Sequence, residues 1–139
     1  CGQDYMARVS GPLLDRFDIR IEVPAVSFTD LDAPADGDSS DIIAARVRRA
    51  RDIQTQRYQE FENIHTNADT FGDLIDQTCQ METTAKSLLT SAAEKFKLSA
   101  RAYHRVIRVA RTIADLDNAY IINSAHIAEA LSYRVLALN

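Results

Sequence analysis

Arg16 and Arg101 are the two residues of this chain whose type and position favour binding of a phosphate group. A guanidinium can hold two phosphate oxygens at once and can stabilise the charge that develops on them during phosphoryl transfer. Arg16 belongs to the run SGPLLDRFD, residues 10–18, where Ser10 can cap a short helix and Pro12 suits its first turn. The sequence therefore predicts an arginine at the exit of a short helix.

Arg101 lies in the first turn of a longer predicted helix, which Ser99 caps and which runs to about residue 116. The backbone N–H groups and the dipole of that turn favour an anion, so a cation there costs up to about 1 kcal/mol unless an anion approaches. The same face of the helix carries three further arginines, Arg105, Arg108 and Arg111. This stripe is interpreted either as a solvated or subunit-facing surface or as a contact for nucleotide or DNA.

Both runs resemble sequences of the AAA+ ATPases related to the ATPase subunit of magnesium chelatase, and most closely the ComM/YifB group. Residues 10–18 are similar to the arginine-finger motif of that group, and residues 98–116, LSARAYHRVIRVARTIADL, are similar to its sensor-2 helix. The resemblance implies that Arg16 reaches the nucleotide of a neighbouring subunit in trans. It implies that Arg101 contacts the terminal phosphate of the nucleotide in its own subunit, and it makes Arg105 a further candidate for nucleotide binding.

The resemblance also implies the activity of the whole protein, a ring-forming, hexameric ATPase that moves along DNA in branch migration during recombination and natural transformation. ATP and Mg²⁺ would bind outside this chain, because it contains neither the phosphate-loop pattern G-x-x-x-x-G-K-[ST] nor an apolar strand with an acidic end before Arg16. We therefore expect a C-terminal piece of the ATPase that is inactive alone, binds no cofactor and is a monomer or weak dimer.

Charge is segregated along the chain and suggests an alternative function. Residues 1–41 carry a net charge of −6, whereas residues 42–58 carry +4 and residues 86–111 carry +6. Solvated helix faces explain these basic islands, but they also suit a stand-alone helical DNA-binding or protein-interaction module. The overall charge of −4 disfavours a dedicated nucleic-acid module. A role of the helices as contacts between subunits is compatible with the ATPase interpretation.

The composition indicates a globular, cytoplasmic protein without a metal site. The 139 residues are 46% hydrophobic, and no apolar run approaches the ~18 residues that span a membrane. Cys1 and Cys79 lie far apart, and His65, His104 and His126 form no pair at ligand spacing. We expect surface or capping roles for the histidines and assign no function to the cysteines.

Three parts follow one another along the chain. Residues 1–24 are predicted to be the end of an ATPase core, with the short helix followed by a strand in which Ile19, Ile21 and Val23 alternate with charged residues. A strand without its sheet should expose its apolar face. Residues 25–40 are an acidic linker rich in Asp, Ala and Ser, and residues 41–139 a helical lid domain.

The fold class is mainly α, with a bundle of about five helices in the lid domain. After residue 40 the chain contains no proline and one glycine, Gly72, so few turns are signalled. We place the helices at about residues 40–61, 69–79, 82–96, 99–116 and 123–137. Apolar spacing assigns a set of residues from the first three helices to the core: Ile43, Val47, Ala50, Gln54, Tyr58, Phe71, Leu74, Ile75, Ala85, Leu88, Leu89, Ala92 and Phe96. Asp115 and Asp117 are assigned to the loop after the fourth helix.

Overall fold

The computed structural model describes residues 16–21, 23–26 and 37–135, and these contain five α-helices. Their bounds are α1 (Ser40–Tyr58), α2 (Asp73–Thr78), α3 (Thr83–Lys95), α4 (Ala100–Leu116) and α5 (Ser124–Val135), with a 3₁₀ turn at Asn67–Asp69. The described residues form no strand, and a parallel bridge joins Met81 to Ile122. The predicted mainly α fold with five helices is confirmed. None of the described helices combines the length and apolar character that crossing a membrane requires.

Short polar side chains fix where the long helices begin. The Ser39 hydroxyl accepts a hydrogen bond from the Ile42 N–H at 3.4 Å, and the Ser99 hydroxyl accepts one from the Ala102 N–H at 3.2 Å. The side-chain oxygen of Asn123 accepts bonds from two N–H groups in the first turn of α5. Each cap satisfies donors that have no partner within the helix. The Ser99 cap of α4 is the one that the sequence predicted.

The hydrophobic core lies between α3, α4 and α5, with α4 at the centre. Ala85, Ala110 and Ala114 are fully buried and allow the helix backbones to approach closely. Larger side chains fill the space around them, and the most deeply buried are Ile75, Leu89, Val106, Ile107, Ile122 and Ile127. Each such side chain stabilises the fold by about 1.5–3 kcal/mol relative to exposure. This packing fixes the orientation of α4 and therefore of its arginines.

Three parts of the predicted core are wrong. Leu88 on α3 is 37% exposed, because the helix directs its neighbour Leu89 into the core instead. Only the C-terminal half of α1 packs, so Ile43 and Val47 remain about half exposed while the residues from Ala50 onward on the same face are buried. Phe71 is 73% exposed, because α2 begins only at Asp73 and the phenylalanine precedes the helix. The apolar spacing indicated the correct faces but not how far along each helix the contact extends.

The predicted strand is absent from residues 16–21 and 23–26, because the described part of the chain offers no second strand beside it. Instead, the Arg20 N–H donates to the Tyr133 carbonyl of α5 at 3.0 Å. Ile19, Ile21 and Val23 are 50–81% exposed, as expected for a strand sequence without its sheet. The predicted short helix at residues 10–15, most of the linker and residues 136–139 lie outside the described residues. The domain boundaries at residues 24 and 40 stay a prediction.

Candidate phosphate-binding site

The first turn of α4 presents Arg101 to solvent. Ser99 caps this turn, and the two N–H groups before the capped one point out of the helix end. Arg101 is exposed and makes no ion pair or hydrogen bond through its side chain to another described residue. A free guanidinium beside free N–H groups is suited to an oxyanion such as a phosphate.

Arg105, one turn further along α4, is directed to a different region of the chain. Its Nη1 lies 3.1 Å from Oδ1 of Asp18, and only 16% of its side chain is exposed. Nη1 and Nε are buried without a directed hydrogen bond, so the contact with Asp18 is chiefly a charge interaction. The nucleotide-binding role assigned to Arg105 stays a prediction, and it requires this ion pair to open.

Arg108 is used within the fold. Its Nη1 donates hydrogen bonds of 3.0 Å to the carbonyls of Ala68 and Thr70, which flank the end of the 3₁₀ turn. The side chain therefore fastens the connection between α1 and α2 to the middle of α4.

Arg111 is buried, with 1% of its surface exposed, and closes the C-terminal end of α4. Its guanidinium donates to the carbonyls of Ala119 and Tyr120 and to the carboxylate of Asp115. Burial lowers the pKa of Arg111 from its ordinary value, and Asp115 opposes that effect. The prediction of one exposed or ligand-facing stripe is therefore wrong for Arg108 and Arg111, because each folds back onto backbone carbonyls of neighbouring loops.

Asp115 is the centre of a buried polar cluster, which we define as Arg57, Asn67, Arg111 and Asp115. The carboxylate is fully buried and accepts two hydrogen bonds from Arg57, one of them at 2.8 Å. Burial disfavours the charged form of Arg57, but the hydrogen bond and the attraction of Asp115 outweigh it and raise the pKa of Arg57. The assignment of Asp115 to a loop is wrong: it lies in the last turn of α4 and pairs with a residue 58 positions away.

Asn67 connects the remaining parts of the cluster. Its Nδ2 donates to Asp115 at 2.8 Å and to Thr112 at 3.0 Å, and its Oδ1 accepts from Arg57 and from the Tyr58 hydroxyl. The Asn67 backbone N–H donates to Gln54 at 3.2 Å. No pattern in the sequence predicted this cluster. Its one local signal is Gln54, a polar residue on the predicted buried face of α1.

The remaining candidates have simple roles or lie at the margin of the described residues. Arg16 is exposed, and residues 10–15 of its motif lie outside the described residues. Cys79 is a buried thiol whose pKa is raised by burial. His126 accepts the Asn123 N–H through Nδ1 at 3.1 Å, the predicted capping role. No group of three metal-ligating side chains occurs within the part of the chain that the structure describes.

Comparison with known proteins gives two adjacent family matches. Residues 1–31 match the family described as magnesium chelatase, subunit ChlI, and residues 37–134 match the C-terminal region of the same subunit. The chain is 39% identical over 133 residues to the competence protein ComM of Haemophilus influenzae and 38% identical to the uncharacterized protein YifB of Escherichia coli. It is 34% identical over 130 residues to an uncharacterized protein of Mycobacterium tuberculosis. These alignments cover 94–95% of this chain and 25% of each relative, so the chain spans about a quarter of their length.

Proposed function

This chain belongs to the magnesium chelatase ChlI family of AAA+ proteins, and on that basis we propose that it supplies the arginine finger and the helical lid of a ring-forming ATPase. The supporting observation is a contrast within α4. Arg108 and Arg111 satisfy carbonyls of the fold, whereas Arg101 is left exposed in the turn where a cation stabilises the helix least. Contact with the terminal phosphate of ATP explains why an arginine occupies that turn, and it would couple the position of α4 to the nucleotide.

In this proposal Arg16 acts on the ATP of a neighbouring subunit, which requires a ring, and the proposed ring is a hexamer. Arginine fingers accelerate hydrolysis by about 10³–10⁵ in other ATPases and GTPases. ATP and Mg²⁺ are held by residues outside this chain, since its sequence has no phosphate loop and its described residues have no metal-ligating group. The chain by itself is therefore expected to be catalytically inactive.

The proposed activity of the whole protein is ATP-driven remodelling of DNA, such as branch migration, in the cytoplasm. One relative is named a competence protein, which agrees with the role in natural transformation that the resemblance of the two arginine motifs implies. The alternative, a stand-alone DNA-binding or protein-interaction module, depends on the exposed arginines of α1, Arg46, Arg48, Arg49 and Arg51. The arginines of α4 do not favour this alternative, because Arg108 and Arg111 donate hydrogen bonds to backbone carbonyls of this chain.

Mutation of the finger in the full-length protein tests the proposal. Arg16→Ala should retain ATP binding and lower ATP turnover by about 10³ or more. Mixing this variant with a subunit that has Arg16 but a disabled phosphate loop should restore part of the activity. An equally exposed arginine on α1 provides the control, and Arg48→Ala should leave turnover unchanged. Full turnover by Arg16→Ala, or no recovery in the mixture, would contradict a finger that acts in trans.

The lid arginine is tested in the same way. Arg101→Ala in the full-length protein should weaken the coupling between nucleotide and lid position, seen as a changed KM for ATP and a reduced turnover. Mixing with the phosphate-loop variant then tells which subunit's nucleotide Arg101 contacts. Unchanged ATP affinity together with unchanged turnover would mean that Arg101 is only a surface residue.

Fluorescence anisotropy with duplex DNA separates the ATPase part from the alternative module. The lid interpretation predicts negligible binding by this chain alone at physiological salt. Binding in the sub-micromolar range that weakens steeply with added salt would instead favour a DNA-binding module.

A further inference from the structure

The short segment 17–21, which follows Arg16, is attached to the helical domain. It contacts two helices at three points: Asp18 pairs with Arg105, the Arg20 N–H donates to the Tyr133 carbonyl, and Arg134 donates to the Phe17 carbonyl at 3.5 Å. The first contact is with α4 and the other two are with α5. The segment therefore lies across the pair of helices that forms the centre of the core.

The ion pair between Asp18 and Arg105 is asymmetric. The Arg105 side chain is 16% exposed, whereas the Asp18 side chain is 50% exposed. Loss of Asp18 would leave a largely buried cation without the carboxylate beside it, which is costly. Loss of Arg105 would leave a carboxylate that water can solvate. Detachment of segment 17–21 is therefore unfavourable mainly because it leaves the guanidinium of Arg105 without a carboxylate.

The ion pair lies close to both proposed nucleotide-contacting arginines. Arg16 is two residues before Asp18, so their Cα atoms are at most about 7 Å apart. Arg101 is one helical turn before Arg105, a rise of about 6 Å along a rigid helix. Because α4 is held by the core, the ion pair sets where the backbone next to Arg16 lies relative to Arg101.

We infer that Asp18 and Arg105 form a latch that positions the arginine finger relative to the sensor-2 helix, so that a shift of α4 is transmitted to Arg16. The inference rests on the proposed function for the roles of Arg16 and Arg101. Asp18 and Arg105 are positioning residues in it and need not contact ATP. A latch of this kind couples ATP sites around the ring, because the response of one arginine to nucleotide moves the other.

The attachment itself is tested in the full-length protein without ATP. Amide hydrogen exchange of Arg20 reports the bond to Tyr133. Asp18→Asn should accelerate this exchange about tenfold or more while leaving the core amides of α4, such as that of Val106, unchanged. Asp52→Asn, an exposed acid on α1, is the matched control and should change neither. Unchanged exchange at Arg20 in Asp18→Asn would overturn the latch.

The coupling is tested by ATPase assays of Asp18→Asn, Arg105→Gln and the double variant. Each single variant should reduce the cooperativity of turnover with respect to ATP and lower kcat about tenfold, far less than Arg16→Ala. The double variant should be no worse than the more impaired single variant, and Arg105→Lys should recover part of the cooperativity. Additive losses, or cooperativity unchanged in both single variants, would overturn the latch. A fully active Arg16→Ala would instead refute the proposed function, so the two failures are distinguishable.

Discussion

The two ends of α4 carry the same residue type in opposite environments. Arg101 in the first turn is exposed and makes no side-chain bond to another described residue, whereas Arg111 in the last turns is 1% exposed and bonds two carbonyls and a carboxylate. The C-terminal end of a helix presents carbonyls that stabilise a cation, and the N-terminal end does not. Arg111 therefore contributes to the fold, and Arg101 is available for a ligand.

Because of this difference, α4 is held in the fold at its last turns while its first turn presents an arginine to solvent. The polar cluster ties the last turns of α4 to α1 and to the 3₁₀ turn, which holds the helix axis in place. The first turn presents Arg101 to solvent, and the ion pair of Arg105 with Asp18 connects the turn that follows to the segment after Arg16. In the proposed function, contact of Arg101 with a phosphate would act on the exposed first turn of a helix whose last turns are held by the polar cluster.

Among substitutions at the two ends of α4, Asp115→Ala is expected to lower the free energy of unfolding most. The variant leaves Arg57 and Arg111 near one another without their shared carboxylate, so the free energy of unfolding should fall by about 3–5 kcal/mol. Chemical denaturation monitored by circular dichroism measures the change. Asp52→Ala on the exposed face of α1 is the control and should stay within about 0.5 kcal/mol of the parent chain. A loss of similar size in both variants would show that the buried carboxylate of Asp115 stabilises the fold no more than an exposed one.

Removal of the cap of α4 should have an intermediate effect. Ser99→Ala deletes the acceptor for the Ala102 N–H and should lower the free energy of unfolding by about 1 kcal/mol. Ser99→Asp keeps an acceptor and adds a favourable charge at the helix start, so it should recover the loss. Equal stability of the Ala and Asp variants would show that the cap is not what starts this helix.

A smaller, pH-dependent effect is expected at the 3₁₀ turn that α4 holds. Backbone hydrogen bonds from His65, followed by bonds from Thr66, lower the pKa of Asp69 below its ordinary value of 3.8. Because the folded pKa is depressed, the stabilisation is complete above the unfolded pKa and is lost as pH falls through the folded value. Asp69→Asn should therefore be slightly less stable than the parent chain at neutral pH, and the gap should narrow below about pH 4.

Unfolding curves of the Asp69→Asn variant and the parent chain at several pH values measure that gap. The exposed acid Asp76 gives the control, because Asp76→Asn removes a carboxylate that accepts no such set of bonds. A gap that widens toward low pH would contradict the sign of the shift.

The smallest effect on stability is expected from Arg101→Ala. Removing a cation from the first turn should change the free energy of unfolding by less than about 0.5 kcal/mol, in the stabilising direction. Arg111→Met is the matched variant at the other end of the helix and should be clearly destabilising, because it removes the donor to two carbonyls and one of the donors to the buried Asp115 carboxylate. If Arg101→Ala were as costly as Arg111→Met, the first turn of α4 would be a structural element and not a free end.

Much of the fold was predictable because its determinants are local. The starts of α1, α4 and α5 follow from serine and asparagine caps within three residues, and the buried faces of α3 and α4 follow from apolar spacing. Phe71 and the N-terminal half of α1 were mispredicted for one reason. Spacing shows which face of a helix can pack, but the length of the packed contact depends on where the neighbouring helices end.

In the candidate site, too, the features set by adjacent residues were predictable and those set by distant residues were not. The exposure of Arg101 follows from its place in a capped first turn, a property of adjacent residues, and the family resemblance follows from the two arginine motifs. The environments of Arg105, Arg108 and Arg111 were not predictable, because all but one of their partners lie 8 to 87 residues away in sequence. The exception is Asp115, four residues after Arg111.

The sequence alone determined the number and approximate positions of the helices, the cap of α4, the family and the two arginines proposed to meet a phosphate. Only the tertiary structure decided which arginines of α4 remain available to a ligand. A guanidinium is long and carries five donors, so it bonds whichever carbonyl or carboxylate the packing brings within reach. The packing of α4 against α1 and the following loop brings such acceptors to Arg111 and leaves none of the described residues bonded to the Arg101 side chain.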